Sequence, residues 1–242
     1  MAAQSVEVAD KLAHPDEVSR AHHELRRAIM RGELRAGDPL SQVELARRLG
    51  VSRGPLREAL RILQREGFVQ QESQHRARVA EFSDEDLDEL YAMRISLESL
   101  AIGIAVPRMG ADDLRLLDQL LEEMDETSRS GDVEQWERPH EQFHRALVRP
   151  CGPRLERELA LLSDHATRYR LCFVSWNTLK WQAGTSEQHR TIAEAVRAGD
   201  GNAAARALAA HLGRTALVVL SMASPTYDPV RIRRALDVAC RQ

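Results

Sequence analysis

Two short helical periods joined by a glycine turn, all within residues 41–67, constrain this chain more than any other feature. Ser41 stands three residues ahead of Glu44, the spacing of a capping box, and opens a short segment that closes at Gly50, a residue suited to a helix C-terminus. Ser52 is placed to cap the next segment. There Leu56, Ala59, Leu60 and Leu63 recur at i, i+3, i+4 and i+7, the stripe of a helix with one face in a core. Its other side carries Arg53, Arg57, Arg61 and Arg65. Two short helices meeting at such a turn predict a helix-turn-helix. A helix is expected before it, over 16–31, with Val18, Leu25, Ile29 and Met30 near one face. After it, 67–71 and 77–80 read as two short strands around the polar tip 72–76. Helix, helix-turn-helix and hairpin make a winged helix, expected over 19–82 behind a flexible extension of residues 1–18.

Charge divides the chain at the same place. From Arg20 to Phe82 thirteen Arg stand against eight acids, whereas the remainder of the chain is acidic. A basic module ahead of an acidic body points to a polyanion partner for the first part. Beyond Phe82 the strand signals stop. Ser83 and the acids after it mark a helix start, where negative charge favours the helix dipole. Helices are expected over 84–106, 111–130, 132–149, 152–180, 185–199 and 201–222, with one break at Ala183-Gly184. The fold class is therefore mostly α: a winged helix-turn-helix followed by an all-α bundle of about six helices over 83–223, then a C-terminal tail, 224–242, with room for one more short helix. The three cysteines have no close spacing and imply neither a disulfide framework nor a Cys-based zinc site. No uninterrupted apolar run approaches the roughly 18 residues of a membrane span, and the N-terminus lacks a signal-peptide pattern. A cytoplasmic protein with no membrane partner is expected.

The run Leu45 to Leu60, with Ile29, Gly32, Glu33 and Leu34 before it and Glu66-Gly67-Phe68-Val69 and Ala77-Arg78-Val79 after it, resembles the winged helix-turn-helix of the GntR family of bacterial regulators. The resemblance implies a homodimer on double-stranded operator DNA. The residues point to the same partner: the first residues of a recognition helix enter the major groove, where Arg53 can pair bidentately with guanine. Ser41 and Ser52, at helix starts, can bond phosphates together with nearby backbone N–H groups, and Arg57, one turn on, would reach phosphate. Two positions depart from the family pattern. Gly54 stands where Thr is more usual, and Arg76 replaces a wing-tip Gly, from where it could enter the minor groove.

The second half resembles the FCD ligand-binding domain of the FadR subfamily, on Arg94-x-x-x-Glu98, Phe143-His144, Gln188-His189-x-x-Ile192, Ala198-Gly199-Asp200 and His211-Leu212. In many such domains an Asp, a His four residues on and two later His hold a divalent metal. The matching positions here are His140, His144, His189 and His211, so the first is His in place of Asp. Residues i and i+4 share a helix face, and an all-imidazole set suits a divalent transition ion, zinc or nickel foremost. Four independent core or surface histidines are the plainer alternative. His140 to His144 also spells HExxH, the helix of zinc hydrolases. No HExxHxxGxxH extension follows, and Pro139 just ahead suggests a kink or a helix start. Arg94 can clamp a small carboxylate effector bidentately; a plain i,i+4 pair with Glu98 is the competing role. His165, Arg168, Tyr169, Arg170 and Trp176 are weaker candidates for a pocket, and His14, His22, His23 and His75 read as solvated. The function expected is DNA-binding regulation, most simply repression, controlled by a metal-bound small carboxylate.

Overall fold

The computed structural model describes residues 15–71, 77–129, 133–174 and 178–241. The chain divides into two compact units between Phe82 and Ser83.

In the first unit, helices α1 (Pro15–Met30), α2 (Gln42–Leu49) and α3 (Arg53–Arg65) pack over a sheet of β1 (Pro39–Leu40), β2 (Val69–Gln71) and β3 (Ala77–Val79). The strands are antiparallel in the order β1-β3-β2, with Val69 opposite Val79 and Leu40 opposite Ala77. The two-residue strand β1 was not expected from the sequence; Pro39-Leu40 is too short to show a period. Ala21, Leu25 and Ile29 of α1 meet Leu45, Leu56, Leu60, Leu63 and Phe68 in one core. Ser41 accepts the Glu44 amide at 3.4 Å to open α2. Gly50 then takes a left-handed φ of +62°, which a side chain would resist, and the Val51 amide folds back onto the Ala46 carbonyl at 3.1 Å. Ser52 sits at the N-cap of α3 but makes no side-chain cap bond, contrary to expectation. Residues 15–18, expected in the flexible extension, already belong to α1; residues 1–14 lie outside the described residues. His22 is not simply solvated: its Nε2 lies 2.9 Å from both carboxylate oxygens of Glu66, tying α1 to the end of α3.

The second unit is helical throughout its described residues: α4 (Asp84–Ala105), α5 (Ala111–Ser128), α6 (Val133–Val148), α7 (Pro153–Val174), α8 (Thr178–Arg197), α9 (Gly201–Ala223) and α10 (Val230–Ala239). Ser83 caps α4 by accepting from the Asp86 amide, and Asp200 caps α9 from the Ala203 amide at 2.8 Å. α4 and α9 are the central pair. By length and mean composition Asp84–Arg108 and Gly201–Ala223 are apolar enough to cross a bilayer, although charged residues interrupt both. More than half of each apolar window is buried inside the unit, as in the core helices of a bundle.

Two further expectations are corrected. Among the described residues the unit has seven helices, the six expected and one more short helix in the tail, α10, with Ile232, Ala235 and Ala239 buried. Its Leu236 enters a notch on α9 at Gly213, where a Cβ would come within 2.8 Å of Leu236 methyl carbons. Ala183-Gly184 lies inside α8 instead of breaking it: one helical Gly costs about 1 kcal/mol, less than burial of Ile192, Ala193 and Val196 on the same helix returns. Pro139 falls in the interior of α6 and does not start it.

Candidate metal centre and recognition helix

The four histidines come from three helices and converge. His140 and His144 lie one turn apart on α6, His189 is on α8 and His211 on α9, and all four are buried. Each offers one nitrogen to a group whose members all lie within 4.8 Å of one another. The rings touch: centroids are 4.7 Å apart for His140 and His144, 4.5 Å for His189 and His211, and 5.1 Å for His144 and His211. Phe143 walls one side against His189, and Trp136 stacks on His140 at 4.4 Å.

The imidazoles are held neutral. Burial is the main cause of the lowered pKa of His140, His144, His189 and His211; Arg170 and Arg94 add to it at His140, where Glu137 opposes them, and neighbouring histidines and arginines add to it at the other three. Neutral imidazole is the form that ligates. His140 Nδ1, His144 Nδ1 and His189 Nε2 are buried without a hydrogen-bond partner, a state that costs free energy unless something binds there. His211 Nδ1 lies 3.1 Å from Gln188 Oε1, which places the proton on Nδ1 and leaves the Nε2 lone pair free. The donor set therefore fits a divalent transition ion, and the plainer alternative of four unrelated histidines is set aside.

Sequence reasoning missed the support around these ligands. Glu137, three residues before His140, places Oε1 3.6 Å from His140 Nδ1, too far for a hydrogen bond, and is gripped by both Nε and Nη2 of Arg170. Burial by itself would raise the Glu137 carboxyl, but Arg170 and His140 outweigh it and bring it down to about 2. Only the i,i+3 spacing of Glu137 and His140 was a local signal for this arrangement.

Arg94 makes the i,i+4 pair with Glu98 considered for it. Its Nε donates to Glu98 Oε1 at 2.6 Å, both side chains being buried, while its Nη1 is buried with no partner. Its charge bears on His140, His144 and His211. A cavity lined by Glu98, His144, Arg145, Val148, Leu159 and Ser163 opens beside them. Glu141, the acid of the HExxH reading, pairs with Arg145 at 2.6 Å at the partly exposed side of α6. Tyr169 and Arg170 are internal, bonded to Asp86 and Glu137. The side chain of Arg168 and residue Trp176 lie outside the described residues.

In the first unit Arg53 and Arg57 project from the start of α3 into solvent, Ser41 and Ser52 are exposed, and nothing lies within 4 Å of where a Cβ on Gly54 would be. Arg76, with the tip 72–76, lies outside the described residues, as do His14 and His75.

Comparison with known proteins agrees with both halves. Residues 17–79 match the gntR family of bacterial regulatory proteins and residues 89–214 match the FCD domain. The chain is 29% identical over 194 residues to an uncharacterised HTH-type transcriptional regulator, YdhC of Bacillus subtilis (strain 168), covering 78% of this chain and 85% of that one. It is also 29% identical over 195 residues to the HTH-type transcriptional repressor GlaR of Escherichia coli (strain K12), covering 78% and 89%. The solved structure of E. coli McbR/YncC has the same fold, with a TM-score of 0.72 at 24% identity over 86% of this chain and 99% of that one. These families are regulators and not enzymes, which removes the hydrolase reading. The chain belongs to the GntR family of DNA-binding transcription regulators, in the branch that carries an FCD domain.

Proposed function

We propose that this regulator is a repressor whose operator affinity is set by a small carboxylate held at a metal in the FCD unit. The observation that carries the reading is the set of buried, unpartnered nitrogens: three on the histidines and one on Arg94. His140, His144, His189 and His211 would hold the ion, zinc or nickel by ligand type. Such an ion supplies a Lewis-acidic position for a carboxylate oxygen. Arg94 Nη1 donates to the carboxylate and Glu98 keeps the guanidinium oriented.

On DNA, Arg53 reads base edges at the start of α3 beside Gly54, Arg57 binds phosphate, and Ser41 and Ser52 bond phosphates at helix starts. A cytoplasmic homodimer on a near-palindromic operator follows from the family. A ligand can shift DNA binding only by its differential affinity for two arrangements of the protein, typically about 1–3 kcal/mol, and the effect is reciprocal. The test is an operator titration of zinc-loaded and metal-stripped protein across a panel of hydroxy, keto and sugar acids. An acid that weakens DNA binding of the loaded protein alone supports the reading. An effector answered equally by stripped protein overturns it.

A further inference from the structure

Of the three orphaned imidazole nitrogens, His140 Nδ1 is the one with a carboxylate beside it. Among the described residues Glu137 Oε1 stands 3.6 Å away, and no other of the four histidines has an acid in ion-pair range. That separation exceeds the roughly 2.7–3.2 Å of an N–H···O bond. Glu137 is also absent from the group of ligand atoms within 4.8 Å of one another, so its carboxylate lies behind the His140 ring and not among the ligands.

Both partners are fixed in place. Arg170 of α7 donates from Nε to Glu137 Oε2 at 3.2 Å and from Nη2 to Oε1, and the same Nη2 donates to Thr167 Oγ1 at 3.1 Å. Glu137, Arg170 and Thr167 are all buried, away from competing water. A carboxylate oxygen accepts more than one bond, so Oε1 keeps capacity for His140. On the other side of the pair, Trp136 lies over the His140 ring with centroids 4.4 Å apart and planes 22° apart, and His144 and His189 close on it at 4.7 and 5.1 Å. A ring stacked in this way holds its plane, and what is left to decide is which nitrogen turns to which neighbour. His211 shows the same device independently: Gln188 Oε1 takes its Nδ1 at 3.1 Å and leaves Nε2 for the site.

Resting on the metal reading above, we propose that Glu137 is the positioning residue of the metal site: it accepts from His140 Nδ1–H, so that His140 holds the ion through Nε2. An imidazole that gives Nε2 to a cation donates more strongly from Nδ1, and a carboxylate is the strongest acceptor for that proton in a dry interior. Arg170 aims the carboxylate, and Glu137 then serves His140 as Gln188 serves His211. The buried Glu137–Arg170 pair is thereby part of the metal site and not only a link between α6 and α7.

The test is nitrogen NMR of full-length protein labelled in its histidine rings, with zinc as the probe metal, together with a chelator competition for zinc. In zinc-loaded wild type the His140 ring is expected to carry its proton on Nδ1 and the ion on Nε2; the ion on Nδ1 would overturn the assignment. Glu137→Gln, which keeps the size and removes the charge, is expected to bind zinc at least about tenfold more weakly and to move the His140 Nδ1–H resonance upfield. Wild-type zinc affinity in folded Glu137→Gln, or an unmoved resonance, marks a role in the fold alone and overturns the assignment too. Should that variant fail to fold because Arg170 is left buried without its partner, the wild-type ring spectrum decides alone. All of these adverse results leave the metal reading intact, whereas wild-type protein that takes up no zinc overturns both.

Discussion

Asp88 of α4 holds Ile232 of α10 from 144 residues away: its wholly buried carboxylate accepts the Ile232 backbone N–H at 3.0 Å through Oδ1 and the Arg231 N–H at 3.2 Å through Oδ2. The residue preceding α10 is Pro229, which makes no side-chain cap bond, so the central helix supplies the cap that the local sequence lacks. Free N–H groups at a helix start attract a carboxylate both as hydrogen-bond donors and through the helix dipole. Asp88→Ala is expected to lower stability by about 2 kcal/mol, the upper range for loss of a cap, and to speed cleavage within 224–242. Asp88→Asn, which keeps an acceptor, should lose less. Urea unfolding with limited proteolysis checks both, and unchanged cleavage in Asp88→Ala would show that Leu236 in its notch holds α10 unaided.

Purified protein is expected to carry about one transition ion per chain, as four ligands make one site. His144→Ala and His189→Ala should each lower metal content and the melting temperature, because a ligand that binds only the folded state stabilises it. Elemental analysis with thermal melts measures this; absence of metal even after loading with zinc or nickel would rule the site out.

In metal-stripped protein, stability should depend on pH through the same imidazoles. Burial first, then neighbouring rings or arginines, holds their folded values below the ordinary 6.5, with Glu137 opposing at His140. The unfolded chain therefore takes up protons that the folded chain refuses, so the folded state loses ground as pH falls. The stability is full above about 6.5 and declines on acidification through that value until the depressed folded values are reached. Urea midpoints of stripped protein from about pH 8 to 5 should fall, more gently in His144→Gln. A flat profile in the stripped wild type would show that these rings titrate normally.

Arg53→Ala should lose operator discrimination while keeping salt-sensitive general binding, since one bidentate base contact is worth roughly 1–3 kcal/mol per half-site. Gel shifts with operator and scrambled duplexes across a salt series separate the two terms. An unchanged preference for operator would move base reading to another side chain.

Local periodicity determined the DNA-binding unit almost entirely. The Leu56–Leu63 stripe, the Ser41 cap and the left-handed turn at Gly50 depend on neighbours within one or two turns, and such short-range terms are written in the sequence itself. The same holds for most helices of the FCD unit and for the facing of His140 and His144, one turn apart on α6. Where propensity and packing disagreed, packing prevailed: α8 runs through Gly184.

The rest was decided by tertiary structure. Residue type and family register named His189 and His211 as partners of the α6 pair, but only the packing of α6, α8 and α9 brings the four nitrogens within 4.8 Å. Glu137 and Arg170 lie 33 residues apart, and nothing in the sequence couples them. Asp88 reads from sequence as one more acid in the first turn and a half of α4; its burial and its role as cap for α10 exist only because α4 lies at the centre of the bundle. Long-range pairs of this kind are selected by which buried polar groups can satisfy one another once apolar burial has set the helices in place, and that choice has no period along the chain.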